Sequence, residues 1–164
     1  VFGGFTLVKS LNPLEILEIP TPSDLFAVVI HPQIEIKTAD ARKILPENIS
    51  LKNAITQWSN LGSLIHGLHT NDYDLISRSL KDVVVEPFRN QLIPGFENIK
   101  TTALKNGALG SGISGSGPSV FSLCKSETIA KNVENAIREI YQTQNIPFEI
   151  YVSKINLDGI KHLN

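Results

Sequence analysis

Residues 110–120 read GSGISGSGPSV: four glycines, four serines and a proline, with Val120 opening an apolar stretch. Two nucleotide-binding patterns come close. Gly110, Gly112 and Gly115 have the spacing G-x-G-x-x-G, but that fingerprint needs a strand before it and a helix after it, so that the helix N-terminus meets a pyrophosphate. The apolar pattern here predicts the reverse, a helix before the stretch and a strand after it. Gly110 and Gly115 also have the outer spacing of a Walker loop, yet Ser116 stands where the phosphate-binding lysine is needed. Both patterns fail. A glycine-rich turn that returns a helix into a strand is the bland alternative. Four glycines and three serines in residues 110–117 exceed what a turn requires, and such a backbone can offer several N–H groups to an anion.

Outward from this loop the elements are legible. PSVFSLC (118–124) reads as a strand, and Ser126 caps a helix striped with Ile129, Val133, Ile137 and Ile140. FEIYVSKI (148–155) sets Phe148, Ile150 and Val152 against Glu149, Tyr151 and Ser153, the period of a strand with one buried face. On the N-terminal side, PGFENIKTTALKNG (94–107) predicts a turn, a helix and a terminating glycine. A long amphipathic helix follows Ser50, with Leu51, Ala54, Ile55, Trp58, Leu61, Ile65 and Leu68 on its apolar side, and a further helix begins near Asn71. Thr38 is placed to cap a short helix, ADARKIL, before Pro46. LFAVVI (25–30), bounded by Pro22 and Pro32, predicts a strand covered on both faces. GGFTLV (3–8) and EILEI (15–19) form a hairpin, and PTPSD (20–24) marks a boundary near residue 22. The expected class is α+β, a small mainly antiparallel sheet covered by helices.

Composition sets limits. A chain of 164 residues is one domain by length and can bury roughly 70% of its unfolded surface. A net charge of −1 gives no basic field for nucleic acid or an anionic membrane, and no apolar run is long enough to span a bilayer. Cys124 is alone, so no disulfide framework or cysteine metal cluster exists; it reads as a small buried hydrophobe in a reducing, cytoplasmic setting. His31 ends an apolar strand and reads as structural, while His66 and His69, three apart on the long helix, do not make a metal site alone. The chain lacks methionine and opens on VFGGFTL, inside a predicted strand. It therefore reads as a piece of a longer protein.

The pattern G-x-x-x-S-G-S-G-P-S at residues 110–119 resembles the third motif of the galactokinase, homoserine kinase, mevalonate kinase and phosphomevalonate kinase (GHMP) superfamily. Its neighbours ALKNGAL and VFSL bring it nearest to the homoserine kinase version. IHPQIEIKTADARKILP (30–46) is similar to that family's T-x-x-A-R segment at Thr38, Ala41 and Arg42, and DVVVEPFRNQLIPGF (82–96) to its D-x-x-x-E-P-x-R stretch, placing an arginine at Arg89. GGFTLV resembles the strand after the family's H-A-D-N-x-A-P element. The family's ATP loop, P-x-x-x-G-L-G-S-S-A, is absent from these residues.

The resemblance implies a ferredoxin-like GHMP C-terminal domain at 23–164, with residues 1–22 as the last hairpin of an N-terminal domain. It implies an ATP-dependent, cytoplasmic kinase acting on the side-chain hydroxyl of L-homoserine, in threonine biosynthesis. ATP and Mg2+ would be held mainly by the N-terminal domain, leaving this part inactive alone, and a homodimer is left open. Thr38, Arg42, Arg89 and Gly115 would bind the amino acid, since a planar guanidinium fork suits a carboxylate. Gly115 and Ser116 would serve transfer, with Gly110, Gly112, Ser114 and Gly117 completing a loop that offers N–H groups to developing charge. No metal ligand and no general base stands out. From the residues alone, Arg42 could instead pair with Asp40 or Glu47 and Arg89 with Glu86 as surface ion pairs. Two further readings stay open: a stand-alone amino-acid-sensing regulatory α+β domain, and a purely structural interaction domain.

Overall fold

Strand β3 (Phe26–Pro32) is the organising element. It pairs antiparallel with β5 (Val120–Cys124) on one side and with β6 (Phe148–Lys154) on the other, and β4 (Gly110–Ile113) adds an edge beyond β5. The resulting four-stranded sheet has the order β4-β5-β3-β6. A separate two-stranded sheet pairs β1 (Phe5–Leu11) with β2 (Leu14–Ile19). The computed structural model describes residues 2–160; Val1, and residues 161–164 at the end of the expected 23–164 domain, lie outside the described residues. The class is α+β, as the sequence predicts, and the strand–helix–strand–strand–helix–strand course is the split arrangement of ferredoxin-like folds.

One face of the sheet is closed. Val28, Ile30, Val120 and Cys124 point to helices α5 (Phe96–Lys105) and α6 (Glu127–Gln144), where Ile99, Ala103, Val133, Ile137 and Tyr141 complete a core with almost no exposure. Each such aliphatic side chain contributes about 1.5–3 kcal/mol on burial, so this face anchors the domain. Ser126 caps α6 by accepting from the Ile129 N–H at 3.3 Å. Gly107, with φ of +94°, ends the α5 turn as expected. Strand β3 is not covered equally on both sides: Val28, Ile30 and Pro32 are buried, whereas Ala27, Val29 and His31 are only half-buried.

Helix α2 (Leu51–Thr70) starts at Ser50, whose hydroxyl accepts from the Asn53 N–H at 3.1 Å. Its period is as predicted, but its buried side is only partly so: Ala54 and Leu68 are buried as expected. Trp58, expected in the core, is 65% exposed, and Leu51 and Ile55 are exposed with it. The inward stripe runs through Ala54, Gln57, Asn60, Leu64 and Leu68. Two polar residues earn that position by serving irregular backbone: Gln57 Oε1 accepts from the Val83 N–H at 3.0 Å, and Asn60 Nδ2 donates to the Lys81 carbonyl at 2.9 Å. Leu68 then joins Leu25, Leu109 and Ile76, from α3 (Tyr73–Ser79), in a second small core. Among the described residues no helix is long and apolar enough to cross a membrane.

Candidate functional site

The glycine-rich stretch divides in two. Residues 110–113, expected as part of a loop, form the edge strand β4; pairing with β5 makes them a strand despite their weak local preference. Gly110 is buried, and a Cβ there would lie 2.4 Å from the Leu80 Cβ. At Gly112 a Cβ would sit 3.3 Å from the Phe121 ring and 3.5 Å from Glu86 Oε2. Ser111 is buried too, donating to the Phe121 carbonyl at 2.8 Å. These residues make close packing possible. The dinucleotide pattern still fails, because the strand now found before Gly115 is followed by another strand and not by a helix.

The loop itself is residues 114–119. Its base is closed by the Ser114 N–H donating to the Ser119 carbonyl at 2.8 Å, and its tip by the Gly117 N–H donating to the Ser114 carbonyl at 3.0 Å. Gly115 has φ of +61°, the left-handed geometry that a hairpin turn with glycine at its first central position requires. A Cβ on Gly115 would meet nothing within 4 Å. Gly117, with φ of +84°, is hemmed in by Ile93 and Ile36, 3.1 and 3.5 Å from an ideal Cβ. Among the described residues the N–H groups of Gly115 and Ser116 have no hydrogen-bond partner. Two adjacent donors are thus free at the tip.

Arg89 ties this loop to the rest of the predicted site. It ends α4 (Glu86–Arg89), and its Nη1 donates to the Gly115 carbonyl at 2.9 Å while its Nε donates to the Ala41 carbonyl at 3.0 Å. Ala41 belongs to α1 (Thr38–Lys43). The three segments singled out in the sequence, 38–42, 82–89 and 110–119, are therefore joined through one guanidinium. Thr38 and Arg42 are both exposed, one turn apart on α1 and so on one side of it. Thr38 does not cap: Lys37 holds the N-cap position and no side chain caps the helix. The surface ion pairs are also absent. Asp40 takes Lys43 at 3.1 Å and Glu86 takes Lys100, so among the described residues neither Arg42 nor Arg89 has a carboxylate partner.

Helix α4 is itself held by the first residue of the D-x-x-x-E-P-x-R stretch, to which sequence reasoning gave no role. The Asp82 carboxylate accepts from the N–H groups of Val84, Val85 and Glu86 at 2.8, 2.9 and 3.1 Å. An aspartate two to four residues before its donors is a readable turn signal. Burial raises the Glu86 carboxyl above its ordinary value; the Lys100 ammonium opposes that shift, and the Asp82 and Glu97 carboxylates add to it. A cavity of about 230 Å3 opens beside Gln57, Asn60, Asp82, Glu86, Gly112 and Phe121. Among the described residues no group of three His, Cys, Asp or Glu side chains could hold a metal ion. Cys124 is buried, and burial pushes its thiol up to about 11.

Residues 64–143, which include α4, the loop and most of α6, match the family model described as GHMP kinases C terminal. This stretch is similar to the C-terminal domain of GHMP kinases. The whole chain is similar to curated proteins named homoserine kinase: 45% identical over 98% of its length to one from Chlorobium phaeobacteroides strain BS1, and 47% over 99% to one from strain DSM 266. It spans about half of these relatives, 51% and 52% of their lengths. The crystal structure of homoserine kinase from Cytophaga hutchinsonii superimposes with a TM-score of 0.93 at 47% identity, over 96% of this chain and 50% of that one. Streptococcus pneumoniae phosphomevalonate kinase shares the GHMP kinase fold alone, with a TM-score of 0.64 at 14% identity over 87% of this chain and 43% of that one.

Proposed function

We propose that this chain is the C-terminal, amino-acid-binding half of a cytoplasmic kinase that transfers phosphate from ATP to the side-chain hydroxyl of L-homoserine. On this reading residues 1–22 belong to the N-terminal domain and 23–164 form the GHMP C-terminal domain. The separate β1–β2 sheet supports that division. The observation that carries the proposal is the bridge from Arg89 to both Ala41 and Gly115. It gathers the two arginine-bearing segments at one loop, in a chain similar throughout to proteins named homoserine kinase. The amino-acid-sensing alternative finds no support among these relatives.

Each group then has work suited to its chemistry. Arg42, exposed and without an ion partner among the described residues, offers a guanidinium fork to the substrate carboxylate. Thr38 shares its side of α1 and adds a hydroxyl. Arg89 spends Nε and Nη1 on backbone, so it fixes the loop against α1 and leaves Nη2 for the amino acid. The free N–H groups of Gly115 and Ser116 face developing charge on the transferred phosphoryl, with Ser114 and Gly117 setting the turn that presents them. Gly110 and Gly112 act one step back, letting β4 pack closely. On the same reading Mg2+ and most ATP contacts belong to the N-terminal half, where Mg2+ would supply charge neutralisation on the phosphates.

Kinetics on the full-length enzyme test this. Arg42→Ala and Arg89→Ala should each lower kcat/KM for homoserine about thirtyfold, the low end of the 2–5 kcal/mol lost with one partner of a desolvated charge pair. For Arg42→Ala the KM for ATP should hardly change. A loss below threefold for both variants rejects the substrate role. The 164-residue chain alone, given ATP, Mg2+ and homoserine, should form no phosphohomoserine above background.

A further inference from the structure

The loop is held at a second point, at Ser119 rather than at the Gly115 carbonyl that Arg89 takes. His31 Nδ1 lies 2.8 Å from Ser119 Oγ, and both residues are half-buried. Ser119 is the residue whose carbonyl closes the base of the loop, and it leads into β5, where Val120 is in register with Ile30 of β3. On the other flank of β3, His31 is in register with Glu149 of β6, whose carboxylate is occupied by the Tyr151 hydroxyl. A carboxylate on β6, an imidazole on β3 and a hydroxyl on the residue just before β5 are therefore neighbours along the sheet. The imidazole is the member that reaches the loop.

The location matters because the two ends of the loop are unequal. Its entry comes from β4, an edge strand paired on one side only, while its exit runs between β4 and β3. His31 also begins the path to α1: Ile36, five residues on, is one of the side chains against Gly117, beside Ile93. With Arg89 at the tip and His31 at the exit, the Gly115–Ser116 peptide is suspended between two fixed points. We infer that His31, acting through Ser119, is a positioning residue that aligns the free N–H groups of the loop for phosphoryl transfer. This rests on the kinase reading for its functional half. The tether itself stands on geometry.

The test uses the full-length protein that carries this chain, with two readouts. Hydrogen exchange without substrate reports the tether: His31→Phe and Ser119→Ala should each speed exchange at the Ser114 and Gly117 amides about three- to tenfold, the range that one hydrogen bond's net worth supports. His31→Asn, whose amide can donate or accept near the Nδ1 position, should restore slow exchange. Steady-state kinetics report the function. Both disruptive variants should lose about three- to tenfold in kcat with the homoserine KM within twofold, the double variant should lose no more than either single one, and His31→Asn should recover. Unchanged exchange and kcat in His31→Phe and in Ser119→Ala, both with normal melts, overturn the inference. So does failure of His31→Asn to restore either readout, which would assign ring volume instead. Faster exchange in a protein whose wild type turns over no homoserine sinks the kinase reading and leaves the tether standing.

Discussion

The two halves of the glycine-rich stretch use the same residue for opposite purposes. In residues 110–113 glycine is there because matter is close: a Cβ on Gly110 would fall 2.4 Å from Leu80. At Gly115 glycine is there because the backbone turns through positive φ with open space around it. The first half contributes to folding, and the second presents donors outward. On the function proposed above, a motif read as one unit is a packing device joined to a binding device. Glycine content alone does not separate them.

Substitution should separate them sharply. The largest effect is expected at Gly110→Val, where a buried strand has no room for the added atoms; overpacking of this kind costs about 3 kcal/mol or more. A denaturant melt would show it. A melt within about 0.5 kcal/mol of wild type, the ordinary range of a neutral surface change, would break the comparison from the packing side.

Gly115→Val comes next. The cost in stability should be limited to backbone strain, about 1–2 kcal/mol for a left-handed residue bearing a Cβ, so a cooperative melt survives. In the full-length enzyme kcat should nevertheless fall at least tenfold, about 1.4 kcal/mol in the barrier. Normal turnover, or activity that only follows the unfolded fraction, would break the comparison from the binding side. Gly107→Ala supplies the reference for strain without function. Its φ is +94° and its nearest neighbour would be Ile129 Cγ2 at 3.3 Å; about 1 kcal/mol of stability should go, and kcat should hold.

The smallest effect lies beside the packing half, at Glu86, whose Oε2 stands 3.5 Å from an ideal Cβ on Gly112. Its carboxyl is raised above the ordinary 4.5 because burial outweighs the Lys100 pair. A raised folded value means that the native state binds the proton more tightly than the unfolded chain. The stability from this group is therefore full below 4.5 and declines as pH rises through the folded value. Wild type should lose ground to Glu86→Gln in melts taken from acid toward neutral pH. The opposite slope would show that Lys100, not burial, governs the site.

Much of the architecture was legible because local chemistry declares it. Ser50 and Ser126 announce helix starts, Gly107 announces a stop, and the strict alternation at 148–153 gives β6 its buried face. The candidate site was legible only in its residue types. Arg42, Arg89 and Gly115 stood out by pattern, but no pattern says that Arg89 bonds two backbone carbonyls from segments 48 and 26 residues away. Helix α2 shows the same limit: its 3.6-residue period is intrinsic, whereas the side that turns inward depends on where Val83 and Lys81 need partners.

The sequence by itself determined most of the helix and strand segments, the antiparallel α+β class, and a chemistry of guanidinium and backbone N–H groups. Those follow from side-chain periodicity, caps and residue type, all of which act within a few residues. Tertiary structure decided that GSGI is a strand, that Trp58 faces outward, and that one arginine ties α1 to the loop. Each of these depends on atoms far apart in the chain meeting within a few ångströms. A short glycine-rich segment becomes a strand only when a neighbouring strand satisfies its backbone, and an arginine becomes a bridge only when two carbonyls arrive at the ends of its fork.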